Sequence, residues 1–133
     1  MAAIASPGPP ALATRPARRI LLVEDDANAL EVLSELLEAG GDEVSVSCTG
    51  AAALALARLV RPDVVVMDLR LPDTDGVDLI RALKAVDASM TIVVFSGSLE
   101  AEPAARAAGG DWFVLKPDSD TLKHVLGLRE PKQ

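Results

Sequence analysis

The sequence predicts an α/β fold in which helices cover both faces of a doubly wound parallel sheet. Short runs of Val, Ile and Leu without polar alternation recur along the chain, which is typical of strands buried on both faces. Segments with helical periodicity lie between these runs, and such alternation favours a parallel sheet joined by right-handed crossovers. The chain of 133 residues is long enough for one such domain.

The composition narrows the class of protein. Half of the residues are apolar, Tyr is absent, and Phe and Trp together number three, so we expect an aliphatic core. The formal net charge of −7 argues against a nucleic-acid or anionic-membrane surface. No apolar run approaches the roughly 20 residues that span a bilayer. The single Cys48, expected to be buried or half-buried, excludes an internal disulfide and suits a reducing, cytoplasmic compartment.

The amino-terminal third contains a tail, a strand and a helix. Residues 1–17 are rich in Pro and Ala and predict a flexible tail. The first buried run, 20–23, ends in the acidic triplet Glu24, Asp25 and Asp26. A helical face follows, and Gly40-Gly41 ends it; its apolar positions are Leu30, Leu33, Leu36 and Leu37.

The next elements are a strand, a helix and a second buried strand. Residues 44–48 alternate Val with Ser and Cys, which predicts a half-buried strand. Thr49-Gly50 opens an Ala- and Leu-rich helix over about 51–60, which Pro62 ends. The run 64–67 is apolar throughout and leads directly into Asp68.

The remaining chain repeats this alternation. After a loop at 69–75, Gly76 precedes a helix whose inward positions are Val77, Ile80 and Leu83. The buried run 91–95 ends in Ser96-Gly97-Ser98. A short helix from Pro103 to Ala108, a strand at 112–115 ending in Lys116-Pro117 and a helix over about 119–128 follow. We place the domain at residues 18–129, with a carboxyl-terminal tail at 130–133.

Chemistry-bearing side chains follow four of these strands. Because ligands bind at the carboxyl edge of open α/β sheets, we expect these side chains to lie together there: Glu24, Asp25, Asp68, Ser96 and Lys116. Three carboxylates favour a hard divalent cation, and Mg²⁺ suits a site with few protein oxygens. A carboxylate can act as a nucleophile toward phosphorus, while a hydroxyl and an ammonium bind phosphoryl oxygens. Gly97 leaves room for a donor molecule.

The sequence resembles the receiver domain of two-component response regulators from Arg19 to about Leu128. The motifs that carry the resemblance occur in the family's order and spacing: Ile20-Leu-Leu-Val-Glu24-Asp25-Asp26, Val66-Met-Asp68-Leu-Arg-Leu-Pro72 with Asp75-Gly76, Val93-Val-Phe-Ser96-Gly97, and Ala108-Gly109 followed by Phe113-Val-Leu-Lys116-Pro117. The resemblance implies a flavodoxin-like sheet with strand order 2-1-3-4-5.

The resemblance also implies a role for each site residue. Asp68 would be the phosphoacceptor. The Mg²⁺ ligands would be Asp25, Asp68 and the backbone carbonyl of Arg70, with Glu24 acting through water. Phosphoryl oxygens would be bound by Ser96, Gly97 and Lys116. Ser96 and Phe113 would form the switch, and Lys116-Pro117 would be a cis bond.

The partners implied are a histidine kinase or histidine phosphotransfer protein, which donates the phosphoryl group, and an unidentified downstream protein. We expect a stand-alone switch, monomeric or weakly dimeric, that is not a turnover enzyme. One alternative is a scaffold with the same fold that signals without phosphorylation. Another is a small phosphohydrolase, suggested by Asp73-Thr-Asp75-Gly76, but Leu71-Pro72 rather than a strand precedes that motif.

Three features depart from the family pattern. The segment between Ser96 and Lys116 is about two residues short, which predicts a shortened fourth helix. Asp118 occupies a position that is usually apolar. Arg70 and Ser98 occupy positions that in the family influence how fast the phosphoryl group is lost.

Overall fold

The structure, a computed structural model that describes residues 16–128, contains one five-stranded parallel sheet in the order β2-β1-β3-β4-β5. Its strands are β1 Arg19–Val23, β2 Glu43–Ser47, β3 Val64–Met67, β4 Thr91–Ser96 and β5 Trp112–Leu115. Its helices are α1 Ala27–Ala39, α2 Gly50–Val60, α3 Gly76–Val86, α4 Glu102–Ala108 and α5 Ser119–Leu126. The predicted fold class and strand order are confirmed.

Two aliphatic clusters hold the helices against the sheet. Successive strand residues point to opposite faces, so Leu21 and Val23 pack beneath α2, α3 and α4. Ile20 and Leu22 pack beneath α1 and α5 on the other face. The central strand β3 is buried along its whole length, which agrees with the unbroken apolar run that predicted it.

The fourth helix is short, as predicted, with seven residues. A 3₁₀ turn, Leu99–Ala101, precedes it, and Pro103 lies in its first turn, where a missing N–H costs no hydrogen bond. Gly109 ends the helix with a φ of 119°, a left-handed conformation that favours glycine.

Several details differ from the sequence predictions. Cys48 is exposed, because it follows the last residue of β2, an edge strand that pairs only with β1. On α3 the buried set includes Leu79, whereas Val77 is only partly buried. The last helix ends at Leu126 rather than about residue 128, because Gly127 adopts a φ of 70°.

The local structure explains why Asp118, a polar residue, occupies a position that is usually apolar in the family. Its carboxylate accepts a hydrogen bond of 3.0 Å from the backbone N–H of Thr121 and so caps the amino terminus of α5.

The predicted tails lie outside the described residues, except for residues 16 and 17. Within the described range, no helix has the length and apolar character needed to cross a membrane.

Candidate metal centre

The carboxyl edge of the sheet brings the ends of β1 and β3 together. The backbone N–H of Asp68 donates to the carbonyl of Val23 over 3.0 Å, and that of Glu24 donates to Ser47 over 3.0 Å. The hydrogen-bond ladder therefore continues one residue beyond each strand. These bonds fix the backbone from which Glu24, Asp25 and Asp68 project.

Three carboxylates converge at this edge. Glu24, Asp25 and Asp68 each offer an oxygen, and these oxygens all lie within 4.8 Å of one another. Glu24 is 2% exposed and Asp68 is 9% exposed, whereas Asp25 is exposed. Such a cluster has the oxygen chemistry and the negative charge that a hard divalent cation requires. Its open side, at Asp25, leaves space for water or a ligand.

Lys116 connects two of the three carboxylates. Its Nζ lies 2.9 Å from Glu24 Oε1 and 3.0 Å from Asp68 Oδ2. Burial acts to lower the pKa of Lys116, but the charged hydrogen bonds to Glu24 and Asp68 outweigh burial and raise it above its ordinary value. The ammonium therefore stays charged and offsets part of the repulsion between the acids.

The backbone and a neighbouring ring hold Lys116 in place. Its N–H donates to the carbonyl of Ser96 over 2.9 Å, which extends the pairing of β4 with β5. The Lys116–Pro117 peptide bond is cis. The Nζ atom also lies 5.9 Å from the centroid of the Phe95 ring, near the outer limit of a cation–π contact.

Hydrogen bonds orient the Asp68 carboxylate. Oδ1 accepts from the backbone N–H of Leu69 over 2.7 Å and, at a longer 3.4 Å, from that of Arg70. Oδ2 accepts from Lys116. Each oxygen thus has a donor of its own, and the carboxylate is fixed at the end of a buried strand.

Ser96 lies beside this cluster at the end of β4. The residue is 2% exposed, and its Oγ accepts a hydrogen bond of 3.2 Å from the N–H of Ser98. Gly97 is exposed, and a Cβ built on it would meet no atom within 4 Å. Open space therefore lies beside Gly97, the residue after Ser96.

The loop after Asp68 is a closed hairpin. The N–H of Gly76 donates to the carbonyl of Leu69 over 3.0 Å, and Arg70 pairs with Asp75 in an antiparallel bridge. A Cβ on Gly76 would lie 2.5 Å from the Cα of Leu69, so only glycine fits at the base of this hairpin. The Arg70 side chain is exposed.

Phe113 and Asp73 have contacts outside the acidic cluster. Phe113 is partly buried and packs against the cluster beneath α2, α3 and α4. Asp73, part of the phosphatase-like motif in the sequence, accepts hydrogen bonds from the N–H groups of Gly50 and Ala51. No local pattern indicates that contact, because the partners lie more than 20 residues away.

The family model described as the response regulator receiver domain matches residues 20–126. Among curated proteins, the transcriptional regulatory protein PrrA of Mycobacterium leprae is 39% identical over 101 residues, which cover 74% of this chain and 43% of PrrA. The DNA-binding response regulator MtrA of Mycolicibacterium paratuberculosis is 35% identical over 102 residues, which cover 75% of this chain and 45% of MtrA. The chain thus spans less than half the length of these relatives.

Solved structures show the same similarity. A CheY-like receiver domain from Methanospirillum hungatei superposes with a TM-score of 0.77 at 29% identity, covering 84% of this chain and 92% of that one. A CheY-like receiver domain from Methylobacillus flagellatus gives a TM-score of 0.74 at 31% identity, covering 84% and 97% respectively.

Proposed function

This chain belongs to the response regulator receiver domain family, and on that premise we propose that it is a phosphorylation switch whose phosphoacceptor is Asp68. The observation that carries the proposal is the convergence of Glu24, Asp25 and Lys116 on the Asp68 carboxylate. We propose as donor the phosphohistidine of a histidine kinase or phosphotransfer protein.

In the proposed reaction, an oxygen of Asp68 attacks the phosphorus atom of phosphohistidine. A phosphorus–oxygen bond forms, the phosphorus–nitrogen bond breaks, and the imidazole nitrogen leaves with the electron pair and takes up a proton. Catalysis of such transfers depends mainly on positioning and on charge stabilisation. The hydrogen bonds from Leu69 and Lys116 hold the attacking carboxylate in one orientation.

The acidic cluster is the proposed Mg²⁺ site. Asp25, Asp68 and the backbone carbonyl of Arg70 would hold the ion directly, and Glu24 would act through water. When bound, Mg²⁺ supplies positive charge to the phosphoryl oxygens. The close grouping of three carboxylate oxygens, with Asp25 open to solvent, supports this assignment.

Ser96, Gly97 and Lys116 are the proposed phosphoryl-binding groups. The Lys116 ammonium contacts Asp68, which supports the proposal that it pairs with an oxygen of the attached phosphoryl group. The Ser96 hydroxyl would donate to another oxygen. Phe113, partly buried near α4, is the proposed residue that transmits the change to a downstream protein.

The proposed output is a protein contact and not a turnover reaction. MtrA is named a DNA-binding regulator, but the aligned part is less than half of that protein. The net charge of −7 supports a protein partner, not nucleic acid, for this chain. The alternative, a scaffold that signals without phosphorylation, has less support because the cluster and Lys116 are all in place.

A direct test is incubation with acetyl phosphate and Mg²⁺, followed by measurement of the intact mass. We expect the mass of one phosphoryl group to be added, and the addition to be lost with EDTA or in Asp68→Asn. Asp78→Asn, which alters an exposed carboxylate on α3, is the matched control and should be phosphorylated normally. Failure of the wild-type protein to gain this mass would refute the proposal.

A metal titration separates the switch from the scaffold. By calorimetry we expect saturable Mg²⁺ binding by the wild-type protein and its loss in Asp25→Ala. A wild-type protein that does not bind Mg²⁺ would favour the scaffold.

A further inference from the structure

The tip of the 69–75 loop is attached to a different element of the fold. Asp73 Oδ1 accepts from the N–H of Gly50 over 2.7 Å, and Oδ2 accepts from the N–H of Ala51 over 2.9 Å. These are the first two residues of α2. Both carboxylate oxygens are therefore occupied by a helix that follows β2, the neighbour of β1 on the side away from β3.

Asp73 and Thr49 together cap the amino terminus of α2. The helix has its own N-cap, Thr49, whose side chain accepts only from the N–H of Ala52. The two preceding N–H groups are bound by Asp73, so the first three N–H groups of α2 all have side-chain acceptors. The two backbone hydrogen bonds lower the pKa of Asp73, which keeps the carboxylate ionised.

The surfaces at this contact also fit closely. A Cβ on Gly50 would come within 2.3 Å of Thr74 Cγ2, so the first residue of α2 touches the loop tip. The base of the loop is fixed separately by the bond from Gly76 to Leu69. The loop is thus held at two places, one at its base and one at its tip.

Arg70 lies between these two attachments in the sequence, and it also pairs with Asp75 in the antiparallel bridge near the base. Its N–H is 3.4 Å from Asp68 Oδ1, and its carbonyl is the proposed backbone ligand for Mg²⁺. We propose that Asp73 is a positioning residue for the metal site: by fastening the loop tip to α2, it holds the Arg70 carbonyl in the orientation that Mg²⁺ binding requires. This inference rests on the proposed function, because it presupposes that Mg²⁺ binds at the acidic cluster.

The test compares Mg²⁺ affinity in three variants by isothermal titration calorimetry, at a temperature where each is folded. Asp73→Ala removes both acceptors, and we expect it to weaken Mg²⁺ binding about tenfold, the lower end of effects seen when groups that orient metal ligands are removed. Asp73→Asn keeps one acceptor oxygen and should fall between Asp73→Ala and the wild type. Asp78→Ala is the matched control, because it removes one exposed carboxylate from the same surface groove. Its effect should stay below about twofold, since salt screens an exposed charge.

Amide hydrogen exchange provides a second measurement that does not depend on activity. Exchange at Gly50 and Ala51 should quicken in Asp73→Ala and stay unchanged in Asp78→Ala. If Asp73→Ala exchanges faster there but binds Mg²⁺ as the control does, Asp73 is only a helix cap and the inference is wrong. If the wild-type protein binds no Mg²⁺, the proposed metal site and this inference fail together.

Discussion

Lys116 contacts carboxylates that a bound Mg²⁺ would also use. Its Nζ lies 2.9 Å from Glu24 Oε1 and 3.0 Å from Asp68 Oδ2, and both residues belong to the acidic cluster. A bound Mg²⁺ would use the same carboxylates and would experience the repulsion of the ammonium. We therefore expect Lys116→Met, which removes the ammonium but keeps a long unbranched side chain, to bind Mg²⁺ more tightly than the wild type.

The magnitude follows from Coulomb's law. With Mg²⁺–oxygen distances of about 2 Å, a bound ion and the ammonium would lie about 4 Å apart across a shared carboxylate. Two unit charges at that separation repel by about 1 kcal/mol in water, and a divalent ion doubles this to about 2 kcal/mol. The side chain of Lys116 is 25% exposed, so the value for water is a lower bound. It corresponds to about 30-fold tighter binding.

Calorimetric titration with Mg²⁺ measures this change. Lys116→Arg keeps the positive charge and should bind within about threefold of the wild type. Lys84→Met removes a lysine that pairs with Asp111, before β5 and away from the carboxyl edge, and should leave the affinity unchanged. Equal or weaker Mg²⁺ binding by Lys116→Met would show that the ammonium does not oppose the metal.

Two further predictions concern stability. Gly76→Ala should lower the free energy of unfolding by about 3 kcal/mol, because its Cβ would meet the backbone of Leu69. Gly97→Ala, whose Cβ would meet no atom, should change the free energy of unfolding by less than about 0.5 kcal/mol. Urea unfolding measures both variants, and equal losses would contradict the steric argument. Hydrogen bonds from Thr121 lower the pKa of Asp118, so its stabilising contribution is present above about pH 4 and lost as the pH falls through the lower folded-state pKa. The stability difference between the wild type and Asp118→Asn should therefore shrink in acid, and a difference that does not vary with pH would refute this.

The fold could be predicted because the three inner strands, β1, β3 and β4, are buried almost throughout. A strand in that environment has no polar side, so its sequence is an unbroken apolar run, and β3 matches its run residue for residue. The site could be predicted for a related reason. Glu24, Asp68 and Lys116 each immediately follow a strand. Ser96 is the last residue of β4, and a parallel sheet places all of those strand ends at one edge.

Other features of the structure could not be predicted, because they depend on contacts between residues that are distant in the sequence. Lys116 could be placed at the site from its position after β5, but its simultaneous contact with Glu24 and Asp68 depends on side-chain conformation. The attachment of Asp73 to α2 joins segments more than 20 residues apart through backbone donors, which every non-proline residue possesses. The exposure of Cys48 differs from the predicted burial because strand alternation does not extend past the end of an edge strand.

The central claim, that Asp68 carries the phosphoryl group, has a direct chemical test. Borohydride reduces an aspartyl phosphate to homoserine, so the protein is treated with acetyl phosphate and Mg²⁺, reduced, digested and sequenced by mass spectrometry. We predict homoserine at position 68 and at no other aspartate, and none when Mg²⁺ is removed with EDTA. Homoserine at another position, or its absence from a protein that has gained a phosphoryl group, would contradict the assignment.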